Sequence, residues 1–428
     1  MTERLLQFIW QFQYYNKSEL ATATGETLQI IFPGNFNTNQ GPDFLNAKIQ
    51  TGSVSWAGSI ELHIKTSDWN KHHHTKDKNY NNVVLHVVWE DDGIRNAVTV
   101  KTTEQGSVIP VLELRNRVPK ILLQRYEELM NSSSFIPCEK SIHSVNDITW
   151  IGWKERLLAE RLLRKSKTVD EYLRQNNYHW EETFWWLLAR NFGMKVNADA
   201  FEAIARSIPL TILAKQKKQI HQLEALLLGQ AGLLEKDFEE DYPKLLQREY
   251  HFQKTKHKIR PTPVPIFFLR MRPGNFPTLR LAQLAMLIHS SAHLFSKIRE
   301  ADSVKDVKSW LDVTANDYWH YHYRFDETSA FKKKKAGTSM VNNIIINTVV
   351  PVLFAYGNYH DDKKYKDKAL DWLEKTQAEL NSITISFMQL PVENKTAYDS
   401  QALIELKNEY CIKKRCLDCA AGNAILKS

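Results

Sequence analysis

Acidic, basic and imidazole side chains are concentrated in residues 58–89, GSIELHIKTSDWNKHHHTKDKNYNNVVLHVVW, which hold five of the fifteen histidines of the chain. Side chains alternate faces along a strand, so Glu61, His63 and Lys65 in ELHIK share one face. Asp43 begins another strand-like segment after a Gly-Pro turn. Two carboxylates on adjacent strands can bind Mg²⁺ or Mn²⁺, and a neighbouring His or Lys can accept a proton from a metal-activated water. All four are candidate catalytic residues, with the two acids as metal ligands.

The remaining histidines of this stretch allow a different metal. His72, His73 and His74 lie in a polar segment, whereas His86 lies in the apolar run VVLHVV. Three imidazoles such as His63, His74 and His86 could bind Zn²⁺ and leave a fourth position open. His74 and His86 are therefore candidate metal ligands. In the alternative, His86 is a core residue hydrogen-bonded to a neighbour.

Aromatic and basic residues near these groups are candidate nucleic-acid contacts. Trp69 and Tyr80 bracket the histidines and could stack on bases, or pack against the edge of the sheet. His72 could contact phosphate as imidazolium. Arg270 and Arg272, in FFLRMRPGN, could do the same, or pair with acids of the protein.

Charge and hydropathy suggest where the protein works. The net charge is +8, with −1 over residues 1–137 and +9 over residues 138–428, and a basic surface attracts phosphate backbones. The N-terminal segment has the pattern of an amphipathic helix, without a signal-peptide cleavage site. The longest apolar run, NNIIINTVVPVLFAYG, is short for a bilayer span and polar at its ends. We therefore expect a cytoplasmic protein that binds nucleic acid and does not enter a membrane.

A second group of potential ligands lies near the C-terminus. Cys411, Cys416 and Cys419 form a C-x4-C-x2-C pattern, and the fourth cysteine of the chain is Cys138. Four thiolates could bind Zn²⁺ or an iron–sulfur cluster. The alternative is a C-terminal helix carrying reduced thiols.

The elements that must position these residues follow from local patterns. Short strand-like segments bounded by Gly, Pro or Asn, among them AVTVKT, fill residues 20–114 and predict a mixed sheet of about six strands. The apolar period then becomes helical, as in WIGWKERLLAERLLRKSKTVDEYLRQ. We predict an α+β protein, with a sheet-containing domain over residues 1–131 and a larger all-α domain, carrying the cysteine cluster, over 138–428.

The spacing of the two acids resembles a known pattern. A Pro-Asp pair at 42–43, followed by ELH at 61–63 on a strand, is similar to the PD-(D/E)xK nuclease superfamily. In that superfamily the acidic pair binds Mg²⁺ and a lysine helps to activate water; here His63 stands at the lysine position and Lys65 lies two residues further on. Glu3 stands where some members carry an additional acid. The resemblance covers the N-terminal region and implies a restriction-endonuclease-like sheet domain.

Nearly the full length of the chain resembles the bacterial domain-of-unknown-function family numbered 2851, through stretches such as GPDFLNAKI, ELHIKTSDW, RMRPGNFPTLRLAQLA and CLDCAAGNAIL. Membership implies a bacterial cytosolic protein and leaves the activity to be argued from the sites. We predict a metal-dependent nuclease or a nuclease-like nucleic-acid-binding protein. The alternatives are a zinc-dependent hydrolase that uses the histidines and a non-catalytic protein-binding adaptor.

Overall fold

The computed structural model describes residues 1–93, 108–269, 271–291 and 293–428. The chain forms two compact units, residues 1–153 with 407–428, and residues 154–406. This division differs from the predicted boundary near residues 132–137, because the C-terminal segment returns to the sheet-containing unit. Local periodicity cannot report such a return, since it depends on contacts between residues far apart in the chain.

The first unit is built on one mixed sheet. Its strands are β1 (Leu28–Phe32), β2 (Asn35–Phe36), β3 (Phe44–Thr51), β4 (Val54–Lys65), β5 (Val83–Glu90) and β6 (Val111–Glu113). The order is β1-β3-β4-β5-β6, and β2 pairs with β3. The pairs β1–β3 and β3–β4 are antiparallel, whereas β4–β5 and β5–β6 are parallel. The predicted α+β class with a mixed sheet is confirmed; the predicted strand AVTVKT lies outside the described residues.

The long strand β4 is buried on both faces over residues 58–63. On one face Ile60 and Leu62 belong to an apolar core that includes Leu6 and Trp10 of the first helix. The other face carries the polar residues of ELH. A parallel neighbour cannot be reached by a tight hairpin, so the chain must cross over between β4 and β5. That crossover is the histidine-rich segment, residues 66–82.

A glycine allows the crossover to end against β4. A Cβ atom on Gly58 would lie 2.4 Å from the backbone oxygen of Asn82. The same oxygen accepts a hydrogen bond of 2.7 Å from the Ser59 N–H. Only a residue without a side chain permits this approach of the two backbones.

Helices make up most of the remaining described chain, as predicted. They are α1 (Glu3–Gln11), α2 (Asp68–Lys71), α3 (Lys120–Asn131), α4 (Asp147–Gln175), α5 (Trp180–Phe192), α6 (Met194–Ser207), α7 (Leu210–Gln216), α8 (Ile220–Gln230), α9 (Asp241–His257), α10 (Pro277–Ser290), α11 (Leu294–Glu300), α12 (Val304–Leu311), α13 (Thr338–Ile344), α14 (Val350–Tyr359), α15 (Lys363–Glu374), α16 (Ser382–Phe387), α17 (Ala397–Glu405) and α18 (Ala420–Lys427). A short antiparallel ribbon, β7 (His322–Arg324) with β8 (Glu327–Thr328), interrupts them.

The apolar run near residue 345 is longer in the structure than the sequence indicated. Helices α13 and α14 are joined by a π-helical turn, Ile345–Val349, into one stretch of 22 residues, long and apolar enough to cross a bilayer. Of its most apolar window, 78% is buried inside the protein. Burial, and not length, is therefore the property that marks it as a core helix.

Candidate metal centre

Asp43 and Glu61 lie side by side where β3 begins against β4. The Asp43 N–H donates to Glu61 Oε2 at 3.1 Å, and the Leu62 N–H donates to Asp43 Oδ2 at 3.0 Å. Asp43 Oδ1 accepts a hydrogen bond of 2.7 Å from Gln7 Nε2 on α1. The sequence predicted the two acids on neighbouring strands but did not point to Gln7, because the placement of α1 over the sheet is a tertiary contact.

The two acids shift each other's protonation. Burial and then the charge of Glu61 raise the pKa of Asp43 to about 7. Burial raises the pKa of Glu61 to about 8, with the hydrogen bond from Asp43 opposing the shift and the charge of Glu3 adding to it. Neighbouring carboxylates in a desolvated site hold a proton at neutral pH unless a cation takes its place.

Three imidazoles from β4 and the crossover cluster together, and two of them contact Glu61. Nε2 of His63 lies 3.5 Å, and Nε2 of His74 lies 3.4 Å, from Glu61 Oε1. His63 Nε2 also lies 3.1 Å from Nδ1 of His72. One nitrogen from each of His63, His72 and His74 lies within 4.8 Å of the other two. Three nitrogens therefore converge, with a carboxylate oxygen beside two of them, and this donor set suits a transition metal.

The surroundings of His74 fit a metal ligand. The side chain is buried, and its Nε2 lies 3.4 Å from Glu61 Oε1 without making a hydrogen bond in the described part of the chain. Burial lowers the pKa of His74, which favours the neutral imidazole that metals bind. The ring of Tyr80 stacks on it at 3.8 Å between centroids. A buried polar atom without a hydrogen bond requires an explanation, and a bound cation would provide it.

His86 on β5 holds His63 in place. It is fully buried, and its Nε2 lies 2.8 Å from Nδ1 of His63. When the Nδ1–H of His63 donates to His86, Nε2 of His63 keeps its lone pair for the cluster. Trp69 packs against both rings, at 6.5 Å and 5.2 Å between centroids. The sequence suggested His86 as a metal ligand. In the structure it lies behind the group of three imidazoles and contacts His63.

His72 joins the cluster although the sequence suggested it as a phosphate contact. The residue between His72 and His74, His73, has φ of 59°, a left-handed conformation that tightens the turn. The H-x-H spacing of His72 and His74 is the signal from which their joint role could have been inferred. His72 is exposed, so the cluster reaches solvent on that side.

The other predicted site residues lie outside the histidine cluster. The rings of Trp69 and Tyr80 are 0% and 8% exposed, so neither is available to stack on a base, because both pack under the histidines. Lys65 is exposed at the end of β4. Arg272 is exposed in the second unit, and Arg270 lies outside the described residues.

Fold and site together define an α+β protein with a candidate transition-metal centre on a mixed sheet. The chain belongs to the family described as "Protein of unknown function (DUF2851)", whose model matches residues 3–382. The family membership suggested by the sequence is thereby confirmed. No curated protein and no solved structure matches the chain. The likeness to the PD-(D/E)xK nucleases stays a prediction.

Proposed function

We propose that this protein is a metal-dependent hydrolase of phosphodiester bonds whose substrate is a nucleic acid. The observation that carries the proposal is the convergence of one nitrogen each of His63, His72 and His74, with Glu61 Oε1 beside two of these imidazoles. Such groups gather in a partly buried place at a cost in desolvation, which a bound ion offsets.

The donor set favours Mn²⁺ or Zn²⁺ over Mg²⁺. Mg²⁺ prefers oxygen ligands in octahedral geometry, whereas imidazole suits transition metals. Once bound, such an ion lowers the pKa of a water molecule and polarises a phosphoryl oxygen. The exposed side of the cluster, at His72, is the side from which a substrate could enter.

Asp43 is the candidate proton acceptor. Its pKa of about 7 suits a general base near neutral pH. The hydrogen bonds from Gln7 and from the Leu62 N–H hold both of its oxygens in a defined orientation beside Glu61. Both donors stabilise the carboxylate form and so help Asp43 to be ready to accept a proton.

Two observations support a phosphodiester substrate. An acid at the start of one strand and Glu-x-His on the next is the arrangement that the nuclease resemblance implies, with His63 in place of lysine. The crossover that carries the histidines also carries exposed Lys71, Lys76 and Lys78. Positive side chains near the opening raise the local concentration of an anionic substrate.

The test is hydrolysis of single- and double-stranded DNA and RNA, and of bis(p-nitrophenyl) phosphate, with Mn²⁺, Zn²⁺ or Mg²⁺. Glu61→Gln and His74→Asn should each lower the rate about 10²-fold or more, because each removes a metal ligand. His73→Asn is the matched control: it changes the neighbouring histidine, which lies outside the cluster, to a residue that tolerates positive φ. A Glu61→Gln variant as active as wild type, or no cleavage with any ion, would overturn the proposal.

A protein-binding role without catalysis is the second candidate. Ile31 on β1 and Val54 and Trp56 on β4 are 54%, 49% and 49% exposed, and apolar side chains exposed on a sheet are typical of interaction surfaces. Metal binding at the histidines without hydrolysis of any of these substrates would favour this candidate.

A further inference from the structure

The four cysteines of the chain come together in the first unit, although Cys411 follows Cys138 by 273 residues. Cys138 directly precedes the 3-10 helix Glu139–Ser144, and Cys419 directly precedes α18. These two helices pack against each other. Two parts of the sequence far apart in the chain, each preceded by a cysteine, therefore pack side by side.

The other two cysteines border the same place. Cys411 is the last residue of a π-helical turn, and Cys416 begins a 3-10 turn that packs against α18. Gly422 of α18 allows that packing, because a Cβ there would lie 2.2 Å from the Cys416 carbonyl oxygen. Cys411, Cys416 and Cys419 are buried, and all four thiols are free of disulfides.

Two of the thiols, those of Cys138 and Cys411, feel the charge of other cysteines. Burial, followed by Cys419 and Cys416, raises the pKa of Cys138 to about 12. Burial, followed by Cys419, Cys138 and Cys416, also raises the pKa of Cys411. These effects agree with the packing of the turns at Cys138 and Cys416 against α18, which Cys419 precedes. Without a cation, thiolates at such a place would repel one another.

The Cys419 sulfur is nevertheless provided with donors. The backbone N–H groups of Ala421 and Gly422, at the start of α18, and the Trp153 side chain donate hydrogen bonds to it. Donors of this kind stabilise a thiolate and not a thiol, and a thiolate is the form that binds metal. Burial thus opposes ionisation of the thiols, whereas the hydrogen-bond donors favour the thiolate of Cys419. A bound metal accounts for both, because its charge stabilises buried thiolates.

We propose that all four cysteines of the chain ligate one metal centre, which fastens the C-terminal segment to the sheet-containing unit. Thiolate ligation is shared by a zinc ion and an iron–sulfur cluster. A zinc ion with bonds of about 2.3 Å brings its sulfurs to about 4 Å from one another. Among the described residues, only the histidine group has three possible ligand atoms within 4.8 Å of one another, so no three of the sulfurs lie that close together. The wider spacing of the sulfurs favours an iron–sulfur cluster, which places several iron atoms between its thiolates.

The centre would also stabilise the helix beside the histidine site. Arg4 of α1 pairs with Asp418 at 2.5 Å, in the turn between two of the cysteines. Tyr14, just after α1, donates to Asn423 of α18 at 2.7 Å. Helix α1 carries Gln7, which binds Asp43. Loss of the cysteine-bound metal should therefore loosen α1 as well as the C-terminal segment.

The test is purification of the full chain without oxygen, followed by measurement of iron, acid-labile sulfide and zinc, and of visible absorption. Iron with sulfide and visible absorption supports the proposal as an iron–sulfur cluster; zinc in place of both supports it as a single ion. Cys138→Ser should lose that metal, whereas Asp418→Asn, which changes a residue between two of the cysteines without removing a sulfur, should keep it. His74→Asn should also keep it, which separates this proposal from the histidine centre.

If Cys138→Ser does not fold, a chelator applied to wild type replaces it. Hydrogen exchange should then accelerate in residues 407–428 and in α1, while residues 154–406 stay unchanged. Two results would overturn the proposal. One is wild type that contains no iron or zinc except the ion that His74→Asn removes. The other is a soluble Cys138→Ser variant whose metal content equals that of wild type.

Discussion

The pH dependence of stability in a Glu61→Gln variant, measured without metal, tests the electrostatics of the histidine centre. Glu61 is 6% exposed, and burial raises its pKa from 4.5 to about 8 in the folded protein. The substitution is nearly isosteric. The Gln oxygen can accept from the Asp43 N–H as Glu61 Oε2 does, and its amide can donate towards Nε2 of His74, which lies 3.4 Å from Glu61 Oε1.

The sign and size of the effect follow from linkage. Because the folded pKa is above the unfolded one, Glu61 contributes its full stability below about pH 4.5, and this contribution is lost as the pH rises through about 8. Over that range one group costs about 1.4 kcal/mol per pH unit, hence about 3 kcal/mol between pH 5 and pH 7. Glutamine has no proton to lose. The variant should also lower the pKa of Asp43, because the charge of Glu61 is, after burial, the second largest cause that raises this pKa.

The assay is denaturant unfolding at pH 5, 6 and 7 in the presence of a chelator. Relative to wild type, Glu61→Gln should gain about 3 kcal/mol of stability from pH 5 to pH 7. Glu90→Gln, on the adjacent strand and paired with Arg115 at 2.5 Å near the surface, is the control and should follow wild type. At pH 7, Mn²⁺ or Zn²⁺ at 100 times its Kd should offset most of this difference, because the ion stabilises wild type by about 3 kcal/mol. Parallel pH profiles for Glu61→Gln and wild type would refute the description of Glu61 as a desolvated acid.

His86→Ala should weaken metal binding about 10–100-fold by calorimetry, because the ring of His63 loses its orienting partner; unchanged affinity would show that the hydrogen bond between them is dispensable. Asp43→Asn should lower kcat for phosphodiester hydrolysis about 10²-fold or more while the Kd for the metal changes little, and an equal loss in metal affinity would instead make Asp43 a ligand. Gly422→Ala should destabilise the protein by about 1–3 kcal/mol in thermal unfolding and lower the metal content of the cysteine centre, because its Cβ collides with the Cys416 carbonyl; normal stability and metal content would contradict the close packing.

Several features of the fold could be predicted because they depend on short-range pattern. Alternation along ELHIK placed Glu61 and His63 on one face, and the change from strand-like to helical period marked the end of the sheet. The helix around Ile345–Val349 was underestimated, because a π-helical turn continues it through a sequence with polar ends. For Trp69 the sequence left stacking on bases and packing against the edge of the sheet as alternatives, and its burial in the structure decides for packing.

The sequence by itself determined the chemical groups and their local order: two acids at neighbouring strands, imidazoles in an H-x-H turn, and thiols in a C-x4-C-x2-C segment. Only the tertiary structure decided which of these meet. The parallel pairing of β4 and β5 forces the chain to cross over, and this crossover brings His72 to His63 and His74 to Glu61. The return of residues 407–428 likewise brings Cys411, Cys416 and Cys419 into the unit that contains Cys138. Alternation and helical period act over a few residues and are readable locally, whereas strand order and the docking of a distant segment depend on the packing of the whole unit.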